Sequence, residues 1–224
     1  MEMNDNAVNK ENAGNKNNAM NDKAVNKNHT ANLENAKIKI STPITKETLA
    51  ELKSGDSVLL SGFVYTARDA AHKRLVDLLN EGKDLPFEIE GQVIYYVGPT
   101  PAKEGQPIGS AGPTTSYRMD AYTPALLKKG LKGMIGKGER NQEVVEAMKK
   151  NGAVYFAAIG GAAALMAKCV KSAELIAYED LGAEAIRKLY VEDMPLIVVI
   201  DSTGRNFYEI GQEAYLNTVK QVSL

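Results

Sequence analysis

VLLSGFVYTARDAAHKRLVDLLN, Val58 to Asn80, changes its period partway along. The first ten residues, Val58 to Ala67, are rich in β-branched and aromatic side chains, which suit a pleated, half-buried strand. From Asp69 onward Ala71, Leu75, Leu78 and Leu79 recur at the spacing of one helix face. QVIYYVG, Gln92 to Gly98, returns to strand-like composition. A strand, a helix and a second strand in this order form the unit from which α/β domains are built.

Outward from that unit the alternation continues. Upstream, KIKI (Lys37 to Ile40) alternates polar and apolar residues as a strand does, and STPIT follows as a turn and helix cap. Downstream the pattern predicts a helix over Asp120 to Lys129, a strand at GMIG, a helix over Glu139 to Lys150, a strand at AVYFAAIG and a helix over Ala162 to Lys171. It then predicts a strand at ELIAYE, a short helix around Ala183 to Lys188 and a buried strand at LIVVID. Asp201-Ser-Thr-Gly204 reads as a hairpin turn into a further strand at NFYEI. The expected domain is α/β, with helices packed on a mixed sheet. In IGGAAAL, Ile159 to Leu165, two glycines before an Ala-rich helix suit close strand–helix packing.

The 224 residues suffice for one ordinary domain with an appendage, and 44% hydrophobic against 25% charged residues supplies a sizeable core. A formal net charge of -1 gives no global field to recruit nucleic acid or an anionic membrane. No stretch approaches the ~20 apolar residues of a membrane span, and no apolar core flanked by basic residues opens the chain, so a cytoplasmic protein is expected. The appendage is the segment 1–36, dominated by Asn, Lys, Asp, Glu and Ala. It has no apolar face to offset the entropy of ordering, and disorder is expected there, with residues 37–224 forming the domain. NDNAVNK (Asn4 to Lys10) and NDKAVNK (Asn21 to Lys27) look like a slipped low-complexity tract. The tail carries acids and no Arg, which argues against a transit peptide.

Three segments hold residues suited to binding an anion. In TARDAAHKR, Thr66 to Arg74, Arg68 ends a strand and Asp69 stands where it would cap the next helix. A guanidinium beside free N–H groups can grip a carboxylate two-pronged, although a surface pair with a neighbouring acid competes with that role. His72 is as well suited to helix packing as to proton transfer. The long connection Gly98 to Arg118 is the first place to look for chemistry, because connections of that length are usually functional. Its end, SAGPTTSYRMD, turns at Gly112-Pro113 and then presents Thr114 and, four residues on, Arg118. IGKG, Ile135 to Gly138, offers Lys137 on a flexible turn without the spacing of a phosphate-binding loop. Two arginines, a threonine and a lysine point to a small dicarboxylate, without an obvious general base.

In this order TARDAAHKR, GPTTSYRMD, IGKG, YFAAIGGAAAL, YEDLGAEAIRKLYVEDMP and VIDSTG resemble the C-terminal domain, or separate β subunit, of class I fumarate hydratases and tartrate dehydratases. The likeness runs from about Lys37 to Phe207. It implies a swivelling β/β/α domain, and a four-iron four-sulfur cluster held by three cysteines of an α subunit, the two chains forming an α2β2 hetero-oligomer. The single cysteine here, Cys169, lies outside the family's cluster positions and reads as a small buried hydrophobe, so no metal site is expected on this chain. By the same resemblance Arg68, Arg118 and Lys137 would bind substrate carboxylates, and Thr114 would be the catalytic proton-transfer residue. Thr66-Ala67, Gly160-Gly161, DLGAEAI and VEDMP are closer to fumarate-type than to tartrate-type members. A tartrate dehydratase β subunit and a noncatalytic scaffold of the same fold are the alternatives.

Overall fold

Strands β1 (Ile38–Ser41), β2 (Ser57–Thr66), β3 (Val93–Tyr95), β4 (Gly133–Gly136) and β5 (Val154–Ala158) run parallel wherever they pair with one another. The computed structural model describes residues 37–158 and 163–222. The tail read as disordered and the glycine pair Gly160-Gly161 lie outside the described residues. Two further strands, β6 (Val170–Ala177) and β7 (Ile186–Ile200), complete a mixed seven-stranded sheet, as the alternation implied. β7 pairs antiparallel with β5, β6 and β2, so β2-β3-β4-β5-β7 forms a hydrogen-bonded circuit that closes on β2.

Two apolar clusters follow from the period-two alternation of these strands. Val64, Val93, Tyr95, Ile135, Val154, Phe156 and Val198 belong to one cluster. Their neighbours Tyr65, Ile94, Tyr96, Met134, Tyr155 and Val199 belong to the other, which packs under the helices. Full burial of such side chains contributes roughly 1.5–3 kcal/mol each. Among the described residues no helix is long and apolar enough to cross a membrane.

The helices start where local chemistry favours them. α1 (Lys46–Glu51) opens at Thr45, whose Oγ1 accepts from the Thr48 N–H at 3.3 Å. α2 (Asp69–Asn80) buries Ala71 and Leu75 of its predicted face together with His72, while Leu78 and Leu79 of that face are half-buried. α3 (Thr123–Lys128) carries Pro at its start. α4 (Gln142–Asn151) is capped by Asn141 Oδ1 on the Val144 N–H at 2.9 Å, ends at Gly152 with φ 60, and bears Lys149 and Lys150 in its last turn. α5 (Ala163–Cys169) leaves Cys169 half-buried against the first cluster rather than fully buried, and Val170 already belongs to β6.

Two predicted elements differ in the structure. The helix expected at Ala183 to Lys188 is a short 3-10 segment, Glu179–Glu184, followed at once by the 15-residue β7. Antiparallel pairing of β7 with β2 from Tyr65↔Lys188 to Ser57↔Ile197 outweighs the helix propensity of Ala, Glu, Arg and Lys. The strand expected at NFYEI is instead the start of α6 (Phe207–Val222). Asn206 Oδ1 accepts the Tyr208 N–H at 3.1 Å and Asn206 Nδ2 donates to Glu209 Oε1 at 3.0 Å, so Asn206-Phe-Tyr-Glu209 works as a helix-opening box. The Asp201–Gly204 turn itself forms, with Asp201 Oδ1 accepting the Thr203 and Arg205 N–H groups.

Candidate functional site

β2, β3 and β4 are adjacent and parallel, so their carboxyl ends open on the same edge of the circuit. Arg68 follows β2 by two residues, Gly98 follows β3 by three, and Lys137 follows β4 directly. The Thr114–Ser116 stretch lies across this edge. Thr114 N–H donates to the Tyr96 carbonyl at 2.7 Å, and Thr115 forms an isolated parallel bridge with Lys137. Ser116 N–H donates to the Lys137 carbonyl at 2.9 Å, and the Lys137 N–H donates to Ser116 Oγ at 3.2 Å. Gly136 makes this crossing feasible: a Cβ there would stand 2.0 Å from Ser116 Oγ. Thr114 is half-buried, with its side chain in none of the hydrogen bonds of the described residues, and the Lys137 side chain is exposed.

Each arginine already meets one carboxylate of the chain. Arg68 Nη2 is 3.2 Å from Glu184 Oε1, and Arg118 Nη2 forms an ion pair with Asp69 Oδ2. The expected capping role of Asp69 is not realised: its carboxylate is drawn to Arg118, Arg68 occupies the N-cap position, and Glu184 Oε2 accepts the Ala70 N–H at 3.4 Å. Neither arginine is sealed off, since the Arg68 side chain is 22% and that of Arg118 45% exposed. Contacts thus link Arg68 through Asp69 to Arg118, and Thr114 through Thr115 to Lys137, along one edge of the sheet.

Beneath this edge lies a buried polar layer. His72 is fully buried against Tyr96, and its Nδ1 sits 2.9 Å from the Arg68 carbonyl. Burial holds its imidazole down at about 4, with the Arg140 charge working in the same direction, so the ring is neutral and donates from Nδ1. Of the two roles open to His72, packing is the one the geometry supports. Arg140 Nε donates to Asp120 Oδ1 at 2.6 Å and Nη2 to Thr123 Oγ1 at 2.8 Å. Ser116 Oγ meets Tyr155 Oη at 2.9 Å while Tyr155 donates to the Gly138 carbonyl at 2.9 Å, and burial pushes the Tyr155 phenol up. These bonds tie the two loops that carry Thr114 and Lys137.

Glu184, Asp120 and Arg140 were not singled out by sequence reasoning. The acid partner of Arg68 comes from the far end of the chain, and nothing in local spacing identifies it. Among the described residues no group of three or more His, Cys, Asp or Glu could hold a metal ion. With Cys169 as the sole cysteine, the donors of this chain do not fit a cluster held by three cysteines. An apolar groove of ≈ 660 Å³ between Gly138-Glu139 and α6 contains none of the four site residues.

Comparison with known proteins gives the family. The family model described as Fumarase C-terminus matches residues 8–211. The anaerobic class I fumarate hydratase of Escherichia coli K12 is 40% identical over 181 residues, covering 79% of this chain and 33% of that protein. A putative class I fumarate hydratase of Geobacillus stearothermophilus is 38% identical over 193 residues, 84% of this chain and 37% of that one. The chain therefore spans about a third of the length of these relatives. A putative L(+)-tartrate dehydratase subunit beta of Methanocaldococcus jannaschii is 38% identical over 172 residues, with 74% of this chain matching 88% of that subunit.

Proposed function

This chain belongs to the Fumarase C-terminus family, and on that premise we propose that it is the β-type half of a hydro-lyase that interconverts fumarate and malate. The observation that carries the reading is the gathering of Arg68, Thr114, Arg118 and Lys137 at the carboxyl ends of β2, β3 and β4. Three cations on one edge match a dicarboxylate, whose two charges need more than one counter-charge in a partly desolvated site. Arg68 and Arg118 hold the carboxylates, and Lys137 adds a mobile positive charge from its exposed turn. The same cations stabilise the charge that builds on a carboxylate when the adjacent carbon loses its proton, the costly step of malate dehydration. Thr114, fixed through its N–H on Tyr96 and with a hydroxyl in none of the hydrogen bonds of the described residues, is the group we assign to that proton.

The iron-sulfur cluster belongs, in this reading, to a partner α chain, because one cysteine cannot supply three ligands. A second reading, tartrate dehydration, is favoured by the near full-length match to the M. jannaschii subunit. The test is anaerobic co-purification with a cluster-bearing α chain, followed by assays of malate dehydration and tartrate dehydration. Malate turnover by the complex and none by the single chain is expected. In the complex, Arg68→Lys should lower kcat/KM by about a hundredfold with the melting temperature held, because Lys keeps charge but loses the planar fork. Full activity of the single chain, or turnover of tartrate alone, would replace this reading.

A further inference from the structure

The Arg68 guanidinium is bracketed from two sides by groups without an assigned role. Nη1 and Cδ face Gly98, where a Cβ would come within 3.0 Å and 3.3 Å of them and within 3.1 Å of the Ala183 carbonyl. Nη2, the other terminal nitrogen, meets Glu184 Oε1 at 3.2 Å. Glu184 is itself anchored. Its Oε2 accepts the Ala70 N–H at 3.4 Å, and the residues after it are clamped to β2, with Thr66 Oγ1 donating to the Ala185 carbonyl at 3.1 Å and accepting the Arg187 N–H at 2.9 Å. The contact is an ion pair through one terminal nitrogen, and Arg68 Nε is buried with no hydrogen-bond partner among the described residues.

We propose that Glu184 is a positioning residue for substrate binding: with Gly98 walling the Nη1 side, its carboxylate fixes the direction of the Arg68 guanidinium at the end of β2. The proposal rests on the reading of Arg68 as a carboxylate ligand. Arg loses much rotamer freedom when held, and a guanidinium fixed beforehand loses less on gripping a ligand. A carboxylate paired with one terminal nitrogen biases the direction of the group and leaves donors for a second acid among its five N–H bonds. A merely structural Glu184 would stabilise the fold without touching substrate affinity. A positioning Glu184 acts on KM, and only while Arg68 is present.

The experiment is a double-mutant cycle in the assembled complex with malate as substrate and succinate as a non-reacting competitor. Glu184→Gln should raise KM and the succinate inhibition constant about tenfold and lower kcat/KM by at least as much, since Arg68 holds the carboxylate in both the ground and the transition state. In the Arg68→Lys background the same substitution should have no further effect, because the group it orients has gone. Gly98→Ala, which crowds the guanidinium from the other wall with Glu184 intact, should raise KM in the same way and carries the test alone if Glu184→Gln does not assemble. An unchanged KM in Glu184→Gln, or an equal rise in KM in both backgrounds, overturns the proposal. If Arg68→Lys alone leaves KM and kcat unchanged, it is the assignment of Arg68 as a substrate ligand that falls.

Discussion

Arg140 and Arg68 both meet an acid, and the two pairs differ in how completely their hydrogen bonds are used. The Arg140 side chain is 0% and that of Asp120 7% exposed. Asp120 Oδ1 takes Nε, Thr123 Oγ1 takes Nη2, Tyr96 Oη lies 3.4 Å from Nη1, and Asp120 Oδ2 takes the Asn141 N–H at 2.8 Å. The rings of Tyr96 and Tyr155 flank the guanidinium at 5.4 Å and 5.2 Å. At the strand ends, by contrast, Arg68 Nε and Asp69 Oδ1 are buried without a hydrogen-bond partner among the described residues, and Arg68 and Arg118 each touch their acid at the edge of solvent. A buried charge with all three guanidinium nitrogens engaged is architecture. A cation at a strand end with capacity left over is the one that can accept a ligand.

The largest effect should come from breaking the buried pair. Arg140→Met leaves the Asp120 carboxylate uncompensated, and urea unfolding should register a loss of about 3–5 kcal/mol. Arg68→Lys, at the less saturated pair, should scarcely move the unfolding midpoint. If Arg140→Met unfolds normally and Arg68→Lys is the one that collapses, the contrast between architecture and site is reversed.

A smaller effect connects the two regions through His72, which packs on Tyr96 beside Arg140 and donates to the Arg68 carbonyl. The groups around it are Tyr96, Tyr122, the Arg140 guanidinium and that carbonyl. Its folded pKa is depressed to about 4 from an ordinary 6.5, so only the unfolded chain takes up a proton between those values. The contribution of the neutral ring is complete above pH 6.5, declines as pH falls, and stops declining below about 4, with a total of roughly 3 kcal/mol. His72→Gln should remove that part of the acid slope from a plot of unfolding free energy against pH. An unchanged slope would mean the ring is not held neutral by burial.

Much of this architecture was legible in the chain. Asp69 to Asn80, GMIG and the helix Gln142–Asn151 are elements whose composition and periodicity agree with their tertiary surroundings, so local signals sufficed. β7 was not, because its first half is composed of helix formers and its state is decided by pairing with a strand over a hundred residues away, Thr66 Oγ1 on the Arg187 N–H included. α6 carried a readable signal, the Asn-x-x-Glu box at Asn206, beneath the hairpin pattern of Asp201–Gly204. Among site residues, Arg68, Thr114, Arg118 and Lys137 stood out by residue type and turn chemistry. Glu184 and Asp120 act through contacts that chain spacing does not encode.

The smallest effect sharpens the comparison most. Arg74 and Asp180 join the same two segments as Arg68 and Glu184, α2 and the 3-10 turn, and they do so two-pronged at 2.8 Å and 2.5 Å with Arg74 over the Tyr178 ring. By geometry alone this is the better pair. Its side chains are 40% and 64% exposed, however, and an exposed pair gains little over hydration and is screened by salt. Asp180→Ala should therefore leave the melting temperature and the KM of the assembled complex without a resolvable change. If it raises KM as Glu184→Gln is expected to, what matters is tethering the turn to α2, and the direction of the Arg68 guanidinium is incidental. If KM stays put while Glu184→Gln raises it, two neighbouring acid–arginine pairs on the same scaffold separate by what their guanidinium faces: solvent in one case, the open edge of β2 to β4 in the other.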